Sequence, residues 1–271
     1  AVADAGSDEF RYSHPQWLIE RLQQTYPDRW QTILTANNER PPMTLRVNRR
    51  VTTATDYLAL LHDAGIAATP MPALDSAIVL AEPMPVTSLP RFADGWVSVQ
   101  DAAAQWAAYL LDPPPGSRVL DACVAPGGKA AHLLERQPMI ELVGIDIDGA
   151  RLRRVRDNFT RLRLTAEVIE GDASTPDVWW DGRPFDAILV DAPCSATGVL
   201  RRHPDIKVRR HPDDLAALTA TQARILRGVW PCLRPGGKLL YATCSILPTE
   251  IAQQMGGCVV GRFSGGRVPL V

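Results

Sequence analysis

The sequence lacks any apolar run of roughly 18 residues, and its first ten residues show no basic stretch followed by an apolar one. Neither a membrane span nor a secretory signal is therefore indicated. Cysteine is scarce: there are five, an odd number, and no two form a C-x-x-C pair, which argues against a disulfide framework and a zinc site. With a net charge of -1, nucleic-acid binding would need local basic patches. We expect a cytoplasmic monomer with reduced thiols and no metal.

A length of 271 residues with 46% hydrophobic content is enough for one large or two modest domains. The first part, up to about Leu111, mixes helical and strand patterns and predicts a small α+β domain. Helices are predicted at residues 15–26, 30–37 and 54–65, and a strand at 43–47. Prolines in residues 82–95 break regular structure, so this segment is expected to connect the small domain to a larger one.

After Gly116 the pattern changes to apolar strands that alternate with amphipathic helices, which predicts a doubly wound α/β fold around a parallel sheet. Strands are predicted at residues 118–122, 142–146, 166–170, 187–191 and 238–243, and helices at 128–136, 149–162 and 214–230. Ligands of such sheets bind outside the carboxyl ends of the strands. Most of the unusual polar residues of the chain fall at these ends.

The first of these strands runs into Asp121-Ala-Cys-Val-Ala-Pro-Gly-Gly-Lys129. Adjacent glycines let backbone amides approach a ligand before a helix begins, which suits a nucleotide-like molecule. The segment is neither G-x-G-x-x-G nor G-x-x-x-x-G-K-[ST], so a dinucleotide oxidoreductase or a P-loop is poorly supported. A tight structural connection is the alternative interpretation.

Three aspartates follow successive strands: Asp146, Asp172 and Asp191. A carboxylate at such a position can accept both hydroxyls of a ribose, although a single one is often a helix cap or a turn former. Three at successive strand ends favour a nucleoside site.

Two cysteines follow the fourth and fifth strands, in Asp191-Ala-Pro-Cys-Ser-Ala-Thr-Gly198 and Ala242-Thr-Cys-Ser245. Cys123, Cys232 and Cys258 are interpreted as small buried hydrophobes, whereas Cys194 and Cys244 lie where thiolates can be stabilised. One reaction that needs such a thiolate is methylation at carbon 5 of cytosine, because that carbon becomes nucleophilic only after a thiolate adds to carbon 6. Asp191 is the natural acid beside the ring nitrogen.

Two groups of basic residues could contact nucleic acid. The first lies on one predicted helix and the second on a loop: Arg151, Arg153, Arg154, Arg156, Arg161 and Arg163; Arg201, Arg202, Lys207, Arg209 and Arg210. A solvated face is an equally good interpretation of the first group, whereas the second lies beside the cysteine segments in sequence.

The same segments resemble the bacterial 16S ribosomal RNA cytosine-5 methyltransferases of the B type, the Sun/Fmu family. The likeness is carried by residues 191–207, by Tyr241-Ala-Thr-Cys-Ser245 and by Ala125-Pro-Gly-Gly-Lys129, and it extends over roughly residues 12–255. It implies a Rossmann-like S-adenosylmethionine-dependent methyltransferase fold at residues 112–271, preceded by a small α+β RNA-binding domain and linker at residues 1–111. The implied substrate and partner is 16S ribosomal RNA.

The resemblance also assigns roles to individual residues. Cys244 is the nucleophile, and Cys194 helps to resolve the covalent adduct. Asp191 is the acid beside the target cytosine and also binds the cofactor. The residues implied to bind S-adenosylmethionine are Cys123, Val124, Ala125, Pro126, Gly127, Gly128, Lys129, Asp146, Asp172 and Asp191.

The chain departs from the family pattern in several places. A helical domain like the antitermination factor NusB is expected before residue 1. Val124 stands where the family usually has alanine, and Val208 where it usually has an aromatic residue. Pro248-Thr-Glu-Ile251 replaces the usual Pro-Glu-Glu-Asn, which is expected to weaken any role of residues 248–251. Residues 256–271 match nothing in the family, which suggests an altered or truncated tail. Two alternatives stay open: a DNA cytosine-5 methyltransferase in which Cys194 alone is essential, and an RNA-binding or assembly module without turnover.

Overall fold

The computed structural model describes residues 6–254, so the unusual tail expected at residues 256–271 lies outside the described residues. Internal contacts divide the described chain into two compact units. The sheet unit comprises residues 42–191 and 228–242, and the cysteine unit comprises residues 6–41, 192–227 and 243–254. Each unit is described separately below.

The larger sheet of the sheet unit has five parallel strands in the order β7-β6-β5-β8-β9. Their bounds are β5 Arg118–Asp121, β6 Glu141–Asp146, β7 Glu167–Glu170, β8 Phe185–Asp191 and β9 Leu233–Ala242, with helices α6 Gly128–Arg136 and α7 Gly149–Leu162 after β5 and β6. The central strands β5, β6 and β8 are almost wholly buried, as expected for a sheet covered on both faces. The predicted doubly wound, Rossmann-like α/β fold is confirmed.

Both helices have local reasons to begin where they do. The side chain of Asp148 caps α7 by accepting hydrogen bonds from the backbone N–H groups of Ala150 and Arg151. Gly127 precedes α6 with a φ of 96°, and a Cβ there would lie 3.2 Å from Val155 Cγ1. Glycine therefore permits both the left-handed backbone and the close approach of α7 to this turn.

The smaller sheet of the sheet unit is antiparallel, in the order β2-β3-β1-β4. Its strands are β1 Met43–Val47, β2 Ala68–Pro70, β3 Ala77–Leu80 and β4 Val97–Val99, and the helix α4 Ala54–Asp63 packs against it, whereas α5 Ala102–Leu111 packs against α6 and β9 of the larger sheet. The expected small α+β fold is thus present. The prediction that residues 82–95 connect two domains is wrong: they join β3 to β4, both of which pair with β1. Prolines end regular structure, but strand pairing across the chain decides where a sheet ends.

The buried side chain of Arg46 links the smaller sheet to α6 through hydrogen bonds. Arg46 on β1 is fully buried, and its guanidinium donates to both carboxylate oxygens of Glu135 at 2.7 and 2.8 Å. It also donates to Gln100 Oε1 at 2.6 Å and to the carbonyl oxygen of Gly128 at 2.7 Å. Since Gly128 opens α6, Arg46 fixes the start of that helix against the small sheet.

The cysteine unit is mostly helical, with α1 Asp8–Tyr12, α2 Gln16–Thr25, α3 Trp30–Asn38, α8 Ile206–Arg209 and α9 Asp214–Val229. Its core packs side chains of the helices against Leu200 and Leu247, which follow the two cysteine-bearing segments. This core comprises Tyr12, Leu18, Ile19, Leu22, Leu34, Leu200, Leu215 and Leu247. Among residues 6–254, no helix is long and apolar enough to cross a bilayer.

Candidate active site

Three carboxylates end adjacent strands at the carboxyl edge of the five-stranded sheet. Asp121 ends β5, Asp146 ends β6 and Asp191 ends β8. Asp121 and Asp146 are buried, whereas Asp191 is partly exposed. The parallel topology predicted from the sequence thus brings these three acids to one edge.

The loop between β5 and α6 is held against the end of β6 by backbone contacts. Val124 N donates to the carbonyl oxygen of Ile145 at 2.9 Å, and Ala125 N donates to Asp146 Oδ2 at 3.2 Å. Cys123, Gly128 and Lys129 remain partly exposed on this loop, and Pro126 is exposed. The loop is therefore fixed in shape while several of its predicted ligand residues stay accessible.

Asp146 and Asp172 both have local structural partners. Asp146 Oδ1 accepts from Asp148 N at 3.1 Å and lies 3.4 Å from Arg151 Nη1, and the same arginine donates to the carbonyl oxygen of Ala125. Asp172 Oδ1 accepts from Ser174 N at 2.8 Å, which is the geometry of a turn former. Asp146 thus links two strand-end loops, and the described contacts of the Asp172 side chain are those of a turn.

Lys129 and Asp191 form an ion pair across this edge, with Lys129 Nζ donating to Asp191 Oδ2 at 2.6 Å. Asp121 is 1% exposed, and within the described residues its Oδ1 has no hydrogen-bond partner. Burial, together with the negative charge of Asp191, raises the pKa of Asp121 to about 7, against the opposing effect of Lys129. The sequence prediction missed Asp121, although it ends β5 just as Asp146 ends β6, and that signal could have identified it.

This edge fits a cationic nucleoside ligand. Three carboxylates face it with only Lys129 and Arg151 as described cationic partners. Burial is the main cause of the raised pKa of Asp121, and a positive ligand would relieve the repulsion from Asp191 that adds to it. S-adenosylmethionine carries a sulfonium and an ammonium group, and these suit such a donor set. Within residues 6–254, no group of three or more His, Cys, Asp or Glu side chains is arranged to hold a metal ion.

Of the thiols outside the predicted pair, Cys123 and Cys232 are in unreactive surroundings, and Cys258 lies outside the described residues. Burial raises the pKa of Cys123 well above its usual value, and neighbouring carboxylates add to the effect. Burial likewise raises the pKa of Cys232 to about 11. Neither environment produces a nucleophilic thiolate.

Cys194 and Cys244 lie in contact within the cysteine unit, with their sulfur atoms 3.3 Å apart. Cys194 is only 8% exposed, whereas Cys244 is exposed. The hydrogen bond to Cys244 raises the pKa of Cys194 strongly, and burial raises it further. The raised pKa disfavours a thiolate at Cys194, and Cys244 is the thiol that a substrate could reach.

Three buried hydroxyl groups join the two cysteine-bearing segments. Ser195 Oγ lies 3.2 Å from Thr197 Oγ1 and 3.3 Å from Ser245 Oγ, and the last two oxygens lie 3.1 Å apart. Ser195 follows Cys194 in sequence and Ser245 follows Cys244. This network therefore fixes the separation of the two sulfur atoms.

The second basic group is engaged with the same unit. Arg210 donates to the carbonyl oxygens of Cys194 and Ser195, both at 3.3 Å. Lys207 donates to Asn38 Oδ1 at 2.5 Å, and Arg209 pairs with Asp205 at 3.4 Å. Arg210 thus supports the Cys194 segment directly, which the charge pattern alone did not reveal.

The first basic group divides in a different way. In the sheet unit, Arg161 donates to the carbonyl oxygens of Phe92 and Val97, and Arg156 donates to that of Val168. Arg153, Arg154 and Arg163 are exposed. With Arg151, which donates to the carbonyl oxygen of Ala125, at least three of the six arginines bind backbone of the unit itself, which neither the RNA interpretation nor the solvated-face interpretation predicted.

The chain is similar to known proteins in both sequence and structure. A family model described as "16S rRNA methyltransferase RsmB/F" matches residues 108–259, and one for its ferredoxin-like domain matches residues 14–87. "Ribosomal RNA small subunit methyltransferase B" of Serratia proteamaculans is 54% identical over 251 residues, which is 93% of this chain and 58% of that protein. The protein of the same name from Vibrio cholerae is 56% identical over 243 residues, which is 90% of this chain and 56% of that protein.

The chain thus spans less than two thirds of the length of these relatives. A solved structure of a methyltransferase homologue from Pyrococcus horikoshii superposes with a TM-score of 0.80 at 29% identity, covering 93% of this chain and 81% of that one. The family model covers more than half of the chain, in the part that carries both cysteines and the three acids. The chain therefore belongs to the 16S rRNA methyltransferase RsmB/F family.

Proposed function

We propose that this chain methylates carbon 5 of a cytosine in 16S ribosomal RNA, with S-adenosylmethionine as the methyl donor and Cys244 as the nucleophile. The observation that carries the proposal is the asymmetry of the cysteine pair: Cys244 is exposed, whereas the Cys194 beside it is buried and has a raised pKa. The names of the relatives support ribosomal RNA as the substrate class. We keep the boundary near residue 112, a monomeric state and a cytoplasmic location as part of this proposal.

The reaction needs covalent catalysis because carbon 5 of cytosine does not attack a methyl donor by itself. The Cys244 thiolate adds to carbon 6, and the electron pair of the ring double bond then moves toward carbon 5 and the ring nitrogen. Asp191 is the proposed acid that hydrogen-bonds the base edge and stabilises this charge. When bound, S-adenosylmethionine supplies an electrophilic methyl group to carbon 5.

Cys194 is the proposed partner in release of the product. Removal of the carbon-5 proton by a base re-forms the ring double bond, and the carbon–sulfur electron pair returns to Cys244. A protonated Cys194, 3.3 Å from Cys244 Sγ, stabilises the departing thiolate by a hydrogen bond. Loss of Cys194 should therefore slow the breakdown of the adduct.

The cofactor is proposed to lie at the carboxyl edge of the sheet. Residues 123–129 would surround it, and Asp146 would accept its ribose hydroxyls through lone pairs that the two backbone N–H contacts leave available. Asp172 and Asp191 complete the proposed set. Asp121 is added to it because its buried carboxylate favours a cationic ligand.

The DNA methyltransferase alternative requires Cys194 to be the nucleophile. Burial and the raised pKa of Cys194 argue against that assignment, and the matched family model describes an RNA methyltransferase. The module without turnover is motivated by the atypical residues 256–271, which lie outside the described residues, and the methyl-transfer assay tests it.

The test is a comparison of two cysteine variants with 16S ribosomal RNA and S-adenosylmethionine. Cys244→Ala should abolish both methyl transfer and covalent capture of RNA, whereas Cys194→Ala should accumulate a protein–RNA adduct that survives a denaturing gel. Cys232→Ala, at a buried thiol outside the pair, is the matched control and should form and release the adduct like the parent. Equal, mild losses for both pair variants would refute the assignment.

A further inference from the structure

Glu250 is a fully buried carboxylate that follows the nucleophile segment by only a few residues. It is 0% exposed. Its Oε1 accepts from Ser195 N at 2.8 Å, and its Oε2 accepts from Ser195 Oγ at 2.5 Å. Gln222 Nε2 donates to the same Oε1 at 3.1 Å. Two of these three hydrogen bonds therefore hold Ser195, the residue directly after Cys194.

A buried carboxylate is costly unless donors compensate its charge. Here two of the donors belong to Ser195, in the Cys194 segment, and a third is Gln222 Nε2. Glu250 accepts hydrogen bonds from both the backbone N–H and the side chain of Ser195. These bonds fix the orientation of Ser195, and with it the direction of the chain after Cys194. The bond at 2.5 Å lies in the range of charge-assisted O–H···O contacts, which are the stronger kind.

The residue before Cys194 is held by the same group. Gln222 Nε2 donates to the carbonyl oxygen of Pro193 at 2.9 Å as well as to Glu250. Cys194 is thus bracketed by Pro193 and Ser195, which are both bound to the Glu250–Gln222 pair. Arg210 holds the carbonyl oxygens of Cys194 and Ser195 from its own side.

We propose that Glu250 is a positioning residue for Cys194: through Ser195 and Gln222 it keeps the Cys194 thiol in hydrogen-bond contact with Cys244. The inference rests on the proposed function, in which Cys194 assists release of the covalent adduct. In that release the carbon-5 proton passes to a base such as water, the carbon–sulfur bond breaks, and the electron pair stays on Cys244. Without Glu250 the exposed Cys244 can still attack, but Cys194 no longer stabilises its departure.

Glu250→Ala should therefore behave like Cys194→Ala rather than like a generally weakened enzyme. The experiment mixes the full chain with 16S ribosomal RNA and labelled S-adenosylmethionine, then follows covalent adduct on denaturing gels and free methylated RNA over time. We expect release to slow on the order of tenfold or more, the scale lost when an acid–base partner is misplaced. Adduct formation should change much less than release.

Two further variants sharpen the test. Glu250→Gln keeps an acceptor for Ser195 N and Gln222 while it loses the charge, so release should be partly restored. Thr249→Val is the matched control, since Thr249 Oγ1 is buried without a hydrogen-bond partner in the described part of the chain. It should release adduct at the parent rate.

Failure of the Glu250 positioning role and failure of the proposed cysteine roles give different results. If Cys194→Ala traps adduct but Glu250→Ala and Glu250→Gln slow formation and release by the same factor, Glu250 is only structural and the inference is overturned. If Glu250→Ala does not fold, the release rate of Glu250→Gln decides in the same way. If Cys194→Ala traps nothing, the proposed cysteine roles fail, and the inference falls with them.

Discussion

Gly198 N donates a hydrogen bond to the carbonyl oxygen of Cys244 at 2.8 Å, and this contact leaves no space for a side chain at residue 198. A Cβ on Gly198 would lie 2.7 Å from that oxygen and 3.3 Å from Ile246 Cγ2. The obstacle at 2.7 Å is backbone, which cannot rotate away as a side chain could. Gly198, at the end of the Cys194 segment, therefore fixes the position of the Cys244 backbone.

Gly198→Ala should accordingly move the nucleophile without affecting the sheet unit. We expect adduct formation with 16S ribosomal RNA to fall by about two orders of magnitude, the scale expected when a reacting group is displaced by about 1 Å. The dissociation constant of S-adenosylmethionine, measured by calorimetry, serves as the internal control and should stay within about twofold of the parent, well under the free energy of a lost contact. An adduct rate equal to that of the parent would show that this contact does not position Cys244.

The raised pKa of Asp121 predicts a specific pH dependence of stability. The pKa of this carboxyl is about 7 in the folded chain against an ordinary value of 3.8, so the folded state binds more protons than the unfolded state between these values. Asp121 therefore destabilises the fold progressively as the pH rises through this window. Asp121→Asn lacks this pH-dependent destabilisation. The free energy of unfolding of the variant minus that of the parent should therefore rise by ~2 kcal/mol between pH 5 and pH 8.

Urea unfolding of both proteins at a series of pH values measures this difference. A constant offset between the two curves would mean that Asp121 titrates normally. The same variant should bind S-adenosylmethionine more weakly at pH 8, because it lacks the carboxylate that favours a cationic ligand.

The Arg46–Glu135 pair predicts a non-additive pattern. Both side chains are buried and share two hydrogen bonds, so Arg46→Met leaves a buried carboxylate without its main partner. The expected loss is about 3–5 kcal/mol in the free energy of unfolding. The double variant Arg46→Met/Glu135→Leu should recover a large part of it, since no buried charge then remains. If the double variant loses the sum of the two single losses, the pair is not the coupled unit described here.

Arg209 offers a test of the basic segment as an RNA contact. Its side chain is 79% exposed and pairs with Asp205 only at 3.4 Å, and such surface pairs contribute little. Arg209→Ala should weaken RNA binding and reduce the slope of log affinity against log salt by about one. Arg183→Ala, an exposed arginine just before the amino end of β8, is the matched control and should leave the slope unchanged. Identical slopes for both variants would remove Arg209 from the proposed interface.

The helices of the larger sheet were the best predicted elements. α6 and α7 begin and end at the predicted residues because a glycine turn or an aspartate cap precedes an amphipathic pattern in each case. β9 begins at Leu233 instead of residue 238, since residues around Pro235 and Gly236 continue the strand through an irregular register opposite Phe185 and Ala187. The short strands β2, β3 and β4 were not predicted, because three or four residues carry little periodicity and their pairing partners are distant in sequence.

The candidate site shows the same division. Strand-end acids could be predicted from the alternation of strands and helices. The burial of Glu250 and its grip on Ser195 could not, because nothing local in the sequence connects residues 195 and 250. Nor does any local pattern distinguish an exposed Cys244 from a buried Cys194, although that difference decides which thiol can attack.

The most direct test of the central claim is methyl transfer from labelled S-adenosylmethionine to protein-free 16S ribosomal RNA, followed by identification of the product nucleoside by mass spectrometry. We expect labelled 5-methylcytidine with the parent chain and none with Cys244→Ala. A methyl group on another atom or another base, or unchanged 5-methylcytidine formation by Cys244→Ala, would contradict the proposed reaction.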